Sequence, residues 1–356
     1  MKKISVILII TFLLSLAGSC SKKEKISIAI KTSLEARSIE GLSVVNAAKL
    51  FLEDYKCDNI EIIFFDDGCR SKKTVEAYEE VKKSGIKILI TTHISTCAIA
   101  IYDQLNRDGV LTFSTAATTD KLSRMDDYIF RNIQDVGKEQ KRIAEYINTN
   151  GFNRLLIIRD TDNSDYTDPA IKYFREGLRS REVAVIDISI AKVDHGDLLL
   201  KMKRYNFSSL YLLMGSNASG VGAIAQLASS IRPGMRIMYT PWVKSPLILE
   251  TAGSSIRHSV IPSHYPPKNV NARKDAYISR FKERFGSSQI FIGLNVYSAL
   301  EILYQCISAG EKDPDAIKKY ILNKKTFQTE FGTLTFDEFG DVDRPLYFIT
   351  EISKEF

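Results

Sequence analysis

Two clusters of hydroxyl and methyl side chains carry most of the chemistry in this chain: HISTCA at 93–98 and STAATT at 114–119. Small polar side chains bury little apolar area, so they are poor core material. They suit places where backbone N–H groups and hydroxyls lie open to a small guest. Each cluster follows a short β-branched run, IKILIT (86–91) and GVLTF (109–113), and the first opens a helical pattern. A helix N-terminus offers unpaired N–H groups and a positive dipole end, which favours a carboxylate or another anion. Ser95 and Thr118 add hydroxyls to such a site. Ser95 could also cap its own helix, and the two roles are compatible.

No motif adds a reaction to that binding chemistry. The four histidines, His93, His195, His258 and His264, form no H-E-x-x-H pattern, and no G-x-S-x-G occurs. The glycine-rich GSNASGVG (215–222) lacks the Lys-Ser/Thr of a P-loop and the spacing of a dinucleotide fingerprint. It reads as a strand-to-helix turn facing a cleft. DTDNSDY (160–166) lacks the Gly and terminal Glu of a calcium loop and reads as a solvated loop. No metal and no cofactor are expected.

Composition agrees. A net charge of +6, from 49 basic and 43 acidic residues, is no argument for nucleic acid. The N-terminus reads as an export signal. Lys2 and Lys3 precede an apolar run, Ile4 to Leu16, too short to span a bilayer comfortably. SLAGSC then resembles a bacterial lipobox, with Cys20 as the acylated residue. Residues 1–19 are therefore expected to be a lipoprotein signal peptide and 20–25 a tether. The remaining cysteines, Cys57, Cys69, Cys97 and Cys306, fit no zinc or redox spacing.

The elements that would position the two clusters alternate along the chain. ISIAI (26–30), IEIIFF (60–65), IKILIT and GVLTF read as strands buried on both faces of a parallel sheet. Helical patterns lie between them, giving a doubly wound α/β unit. RLLIIRD (154–160), VAVIDISI (183–190), SSLYLLMG (208–215) and MRIMYT (235–240) make a second series. DPAIKYFREGL is expected to start a helix with Asp168 as cap and Pro169 at the first helical position, and DPDAIKKYIL repeats that signal at Asp313 and Pro314. GTLTFDEFGDVDRPLYFITEI reads as a β-hairpin turning at DEFGD. In open α/β sheets ligands bind beyond the carboxyl ends of the strands, so both hydroxyl clusters stand on one rim.

The segments FFDDGCRSKKTVEAYEEVKKSGIKILI, GVLTFSTAATTDKL, IFRNIQD and GTLTFDEFGDVDRPLYFI, in that order, resemble the branched-chain amino-acid-binding family of type I periplasmic solute-binding proteins. The resemblance implies two Rossmann-like lobes joined by a three-crossover hinge: 26–133 plus 266–326, and 134–265 plus 327–356. It implies a monomer, held in the cell envelope by its lipid, that closes on a small-molecule ligand and delivers it to an ABC permease. By position, Ser95, Ala116 and Thr118 would hold the ligand carboxylate and Tyr166 would line the second lobe, with Asn217 a further candidate. Relatives of that kind pair the ligand ammonium with an acidic residue, where this chain has Trp242. A first-lobe Tyr is replaced by Glu40. A relative-type disulfide would use Cys69, with Cys97 as its partner here. The same fold also serves as a sensor signalling to a membrane receptor, which the sequence does not separate from import. A lipid-anchored enzyme is disfavoured by the missing catalytic constellation.

Overall fold

The computed structural model describes residues 25–35, 38–179, 183–215, 218–286 and 291–356, so the signal peptide, Cys20 and Asn217 lie outside the described residues. The first lobe opens with β1 (Ile26–Thr32), α1 (Ile39–Tyr55), β2 (Ile60–Asp66), α2 (Ser71–Lys83), β3 (Ile88–Thr91), α3 (Ser95–Asp108), β4 (Leu111–Ser114) and β5 (Ile129–Arg131). The second continues with α4 (Val136–Thr149), β6 (Leu155–Asp160), α5 (Ser164–Gly177), β7 (Val183–Ile188), α6 (His195–Lys203), β8 (Ser209–Leu213), α7 (Ala218–Ile231), β9 (Arg236–Met238), α8 (Leu247–Ala252) and β10 (Ser259–Ser263). The chain then returns to the first lobe with α9 (Ala272–Phe285), α10 (Phe291–Ser308), α11 (Pro314–Lys324), β11 (Thr326–Thr329) and β12 (Gly332–Thr335), and ends in the second with β13 (Tyr347–Ile349).

The first sheet is parallel in the order β2-β1-β3-β4-β5, and the second runs β13-β10-β9-β8-β6-β7 with only β13 antiparallel. Strands rich in Ile, Leu and Val without polar alternation need cover on both faces. They get it. Ile28 and Ile30 of β1 face a core shared with Val44, Phe51, Tyr297 and Leu300, while Ala29 faces Tyr78, Ile101 and Leu105. In β6, Leu156 and Ile158 face one core, Leu155 and Ile157 the other. Each sheet reverses strand order beside its first strand, between β1 and β3 and between β6 and β8. Such switch points open a crevice at the carboxyl ends of the strands.

Three crossings join the lobes, and buried polar groups tie them together. Arg131, 0% exposed, donates to Asp341 Oδ1 at 2.6 Å, to the Thr119 carbonyl at 2.9 Å and to Ser123 Oγ at 2.6 Å. Asn132 donates to the Asn295 carbonyl at 2.6 Å, and the Tyr265 hydroxyl donates to Asn295 Oδ1 at 2.6 Å.

Two expectations about the C-terminal segment are corrected. The chain does turn at DEFGD, where Phe336 and Val342 form an antiparallel bridge, but Gly332–Thr335 pairs with the upstream Thr326–Thr329, not with LYFI, and Tyr347–Ile349 pairs with β10 of the other sheet. The lobe boundary moves with it. Phe327, Leu334, Phe336 and Val342 pack into the first lobe's core, where Phe336 meets Phe113 and Phe130 edge-on. Residues 327–342 therefore belong to the first lobe, whose core their apolar side chains help to fill.

The two Asp-Pro signals also part company. Asp313 caps α11, its carboxylate accepting the Ala316 N–H at 3.0 Å. Asp168 caps nothing. α5 begins at Ser164, Pro169 lies inside it, and Asp168 pairs with Arg159 at 2.6 Å. DTDNSDY is therefore partly helical, and Asp160 is buried, accepting the Asp162 and Ile190 N–H groups, each at 3.1 Å.

Candidate functional site

Both switch points open into one interlobe cleft. The first lobe contributes Thr32 and Ser33 after β1, Thr92, Ile94 and Ser95 after β3, and Ala116 and Thr118 after β4. The second contributes Asn163 and Tyr166 after β6, Gly215 after β8, and Trp242, Lys244 and Ser245 after β9. Local sequence explains these placements. Gly41 starts α1 so close to the β1 loop that a Cβ there would lie 1.7 Å from the Ser33 carbonyl oxygen. Gly215 leaves room for Asn163, whose Nδ2 would stand 2.6 Å from an added Cβ.

The first-lobe end is built for negative charge. α3 carries no acidic residue in its first turn, and its cap, Ile94, supplies no side-chain acceptor. Ser95 is the first helical residue rather than the cap. Its Oγ accepts the Thr119 N–H at 3.3 Å, which leaves the hydroxyl proton free to donate. Thr118 is 1% exposed, and its hydroxyl has no partner among the described residues. An unpaired buried hydroxyl costs free energy that an incoming acceptor relieves.

The opposite wall is aromatic. Tyr166 and Trp242 stand edge to face at 6.1 Å, and Trp242 meets Phe291 of the first lobe at 5.3 Å. The Tyr166 hydroxyl points away from a guest: it donates to Glu139 Oε1 at 2.9 Å and accepts from Gln140 at 3.3 Å. Glu139 is fully buried behind it, 3.3 Å from His264.

The buried charged groups of the cleft are paired, with Glu40 the exposed exception. Lys244 donates to Glu355 Oε1 at 2.6 Å and to Ser263 at 3.2 Å, and burial lowers its pKa. Asp67 sits against His93 and accepts the Cys69 N–H at 3.0 Å. Burial pushes the Asp67 carboxyl up and the His93 imidazole far down, so the pair tends to neutrality. Glu40 lies in the first turn of α1 and is exposed.

Six of the seven residues singled out from sequence, Ser95, Ala116, Thr118, Tyr166, Trp242 and Glu40, therefore line one cleft. The Cys69–Cys97 bridge is corrected: both are free thiols. Cys97 instead lies 4.0 Å from Ser71 Oγ, and its polar surroundings, Cys69 first among them, lower its thiol to about 7. Sequence reasoning missed Asn163, Asp67, Lys244 and Phe291. Asn163 had a findable signal: an Asn directly before α5 at a switch-point strand end, hidden by the stronger Asp-Pro pair downstream, although its side chain makes no capping bond.

Contacts between the lobes close the cleft. Thr96 Oγ1 donates to Asn163 Oδ1 at 3.2 Å, Lys121 pairs with Asp165 at 2.6 Å, and the Tyr173 hydroxyl donates to Asp120 at 3.0 Å. Among the described residues no helix is long and apolar enough to cross a membrane, and no group of three metal-binding side chains occurs.

Comparison with known proteins matches this architecture. A family model described as periplasmic binding protein covers residues 30–354. The Leu/Ile/Val-binding protein of Escherichia coli (strain K12) is 24% identical over 298 residues, 81% of this chain and 78% of that protein. The crystal structure of a branched-chain amino acid transporter substrate binding protein from Streptococcus pneumoniae, in complex with isoleucine, superposes with a TM-score of 0.82 at 18% identity, covering 92% of this chain and 96% of that one. A solute binding protein of an ABC transporter from R. palustris, in complex with 4-hydroxybenzoate, gives 0.81 at 14% identity, covering 91% and 92%.

Proposed function

The chain belongs to the periplasmic binding protein family, and from that membership we propose that it is the lipid-anchored, extracytoplasmic solute-binding component of an ABC importer, capturing an amino acid or related small acid. One observation carries the reading: the switch points of both sheets open into the same cleft, so a guest there touches both lobes at once. Ser95, Ala116 and Thr118 would take its carboxylate, and Tyr166 and Trp242 would cover its body. Contacts made to both lobes exist only when the cleft is shut. The ligand therefore shifts the population toward the closed form by its differential affinity, with no covalent step. Cys20 would hold the protein at the membrane, where the permease meets the closed form.

A thermal-shift screen of amino acids and organic acids tests the binding role. A ligand at a hundred times its Kd should stabilise the protein by about 2.7 kcal/mol. A chain that answers no small solute would contradict the reading. Labelling with a radioactive fatty acid, lost in Cys20→Ser, tests the anchor separately.

A further inference from the structure

We propose that the cleft takes a monocarboxylic acid with a branched or aromatic apolar body and rejects the matching α-amino acid. The inference rests on the solute-binding reading and adds the chemical class of the guest.

An α-amino acid brings two charges into the cleft. Its carboxylate finds the unpartnered Thr118 hydroxyl, 1% exposed, and the acid-free first turn of α3. Its ammonium finds no equivalent among the described residues. Closure strips water from it, and a buried ammonium without a counter-charge costs several kcal/mol. Among the described residues each buried carboxylate near the cleft already faces a partner, so none is left over for an ammonium. Asp67 faces His93 and the Cys69 N–H. Glu355 holds Lys244 and accepts the Lys268 N–H at 3.0 Å. Glu139 takes the Tyr166 hydroxyl, so the one phenol on the wall turns its oxygen inward. Lys244 lies on the same wall as Trp242, and because it already uses Glu355 it leaves that carboxylate no charge to spare for a second cation. Glu40 remains, but it is exposed at the start of α1, where the helix dipole already holds it. A solvated carboxylate contributes about 1 kcal/mol at best. The edge-to-face aromatics Tyr166, Trp242 and Phe291 instead offer apolar surface for an uncharged body.

Matched pairs isolate the ammonium: leucine against 4-methylpentanoate, and phenylalanine against 3-phenylpropanoate. Each is titrated into the purified full chain by calorimetry. Fluorescence of Trp242, the single tryptophan, is a second readout inside the cleft. In at least one pair the acid should bind about tenfold tighter or more, a difference of about 1.4 kcal/mol. Amino acids binding as tightly as their acids would overturn the proposal while leaving the solute-binding reading intact. Silence from all four probes would also overturn it; quenching of Trp242 by some other solute would then keep the broader reading alive. Glu40→Gln removes a negative charge from the rim and should tighten the acids. An amino acid that binds, and loses its affinity in Glu40→Gln, identifies Glu40 as its counter-ion and defeats the inference. Trp242→Glu places a carboxylate on the aromatic wall and should move the ratio toward the amino acid by about tenfold or more. An unchanged ratio in a variant that melts cooperatively counts against the proposal.

Discussion

The Ser95 hydroxyl oxygen accepts the Thr119 N–H at 3.3 Å, tying the start of α3 to the loop after β4. That bond makes Ser95 partly structural, whereas the neighbouring Thr118 hydroxyl is buried with no partner. The two residues therefore separate stability from binding. Thr118→Val keeps the shape and removes the unpaired group, so urea unfolding should show unchanged or slightly raised stability, by up to about 1 kcal/mol. Ligand affinity should drop about tenfold to a hundredfold, as expected for losing a hydrogen bond to a charged group. Loss of stability together with affinity would mean that the hydroxyl is satisfied within the protein.

Arg131 and Asp341 link the first and third crossings at 2.6 Å, with the guanidinium fully buried. Asp341→Leu leaves that charge without a counter-ion and should cost about 3–5 kcal/mol by urea unfolding. The double variant Arg131→Met, Asp341→Leu should recover a large part of the loss, because burying an ion pair is itself costly. A double variant as unstable as the single one would show that Arg131 acts through Thr119 and Ser123 instead.

The strands were legible because uninterrupted Ile, Leu and Val runs have few other uses, and β1, β3, β6 and β8 sit where those runs lie. The first-lobe wall was legible for a related reason: small hydroxyl residues at strand ends have no packing role. The turn at DEFGD was legible, but the strands paired beside it were not. TFQT offered only one large apolar side chain to mark β11, while LYFI looked like a partner and in fact joins a different sheet. Pairings set by distant surfaces leave no trace in local alternation. The start of α5 was misplaced because Asp-Pro reads as a helix start, whereas Pro169 stands sixth in the helix and forgoes one backbone hydrogen bond there. Lys244 and Asp67 were invisible as cleft residues because their burial depends on His93 and Glu355, which are remote or unmarked in sequence.

Closure should depend on ionic strength. Lys121 reaches Asp165 across the lobes at 2.6 Å while itself largely exposed, so salt screens the pair. Lys121→Ala should weaken ligand binding by up to about fivefold at low salt, the reach of an exposed ion pair. The gap between wild type and variant should vanish at about 1 M salt, where screening is nearly complete. Titrations at both ionic strengths check this. A difference that survives high salt would assign Lys121 a packing role.

Stability should fall as pH rises through the weakly acidic range, and Glu301 is the cause to test. It is 2% exposed and accepts the Tyr55 hydroxyl at 2.8 Å and the Glu330 N–H at 2.9 Å. Burial outweighs those bonds and pushes its carboxyl up to about 7 from the usual 4.5. Between those values the folded protein binds a proton that the unfolded chain has released, so raising the pH favours unfolding. The loss is complete above the folded value and amounts to about 3 kcal/mol at most. Glu301→Gln keeps an acceptor for the Glu330 N–H and carries no charge. Its unfolding free energy should match wild type near pH 5 and exceed it near pH 8, with the difference opening between these limits. Parallel profiles for the two proteins would show that Glu301 stays ionised in the folded state.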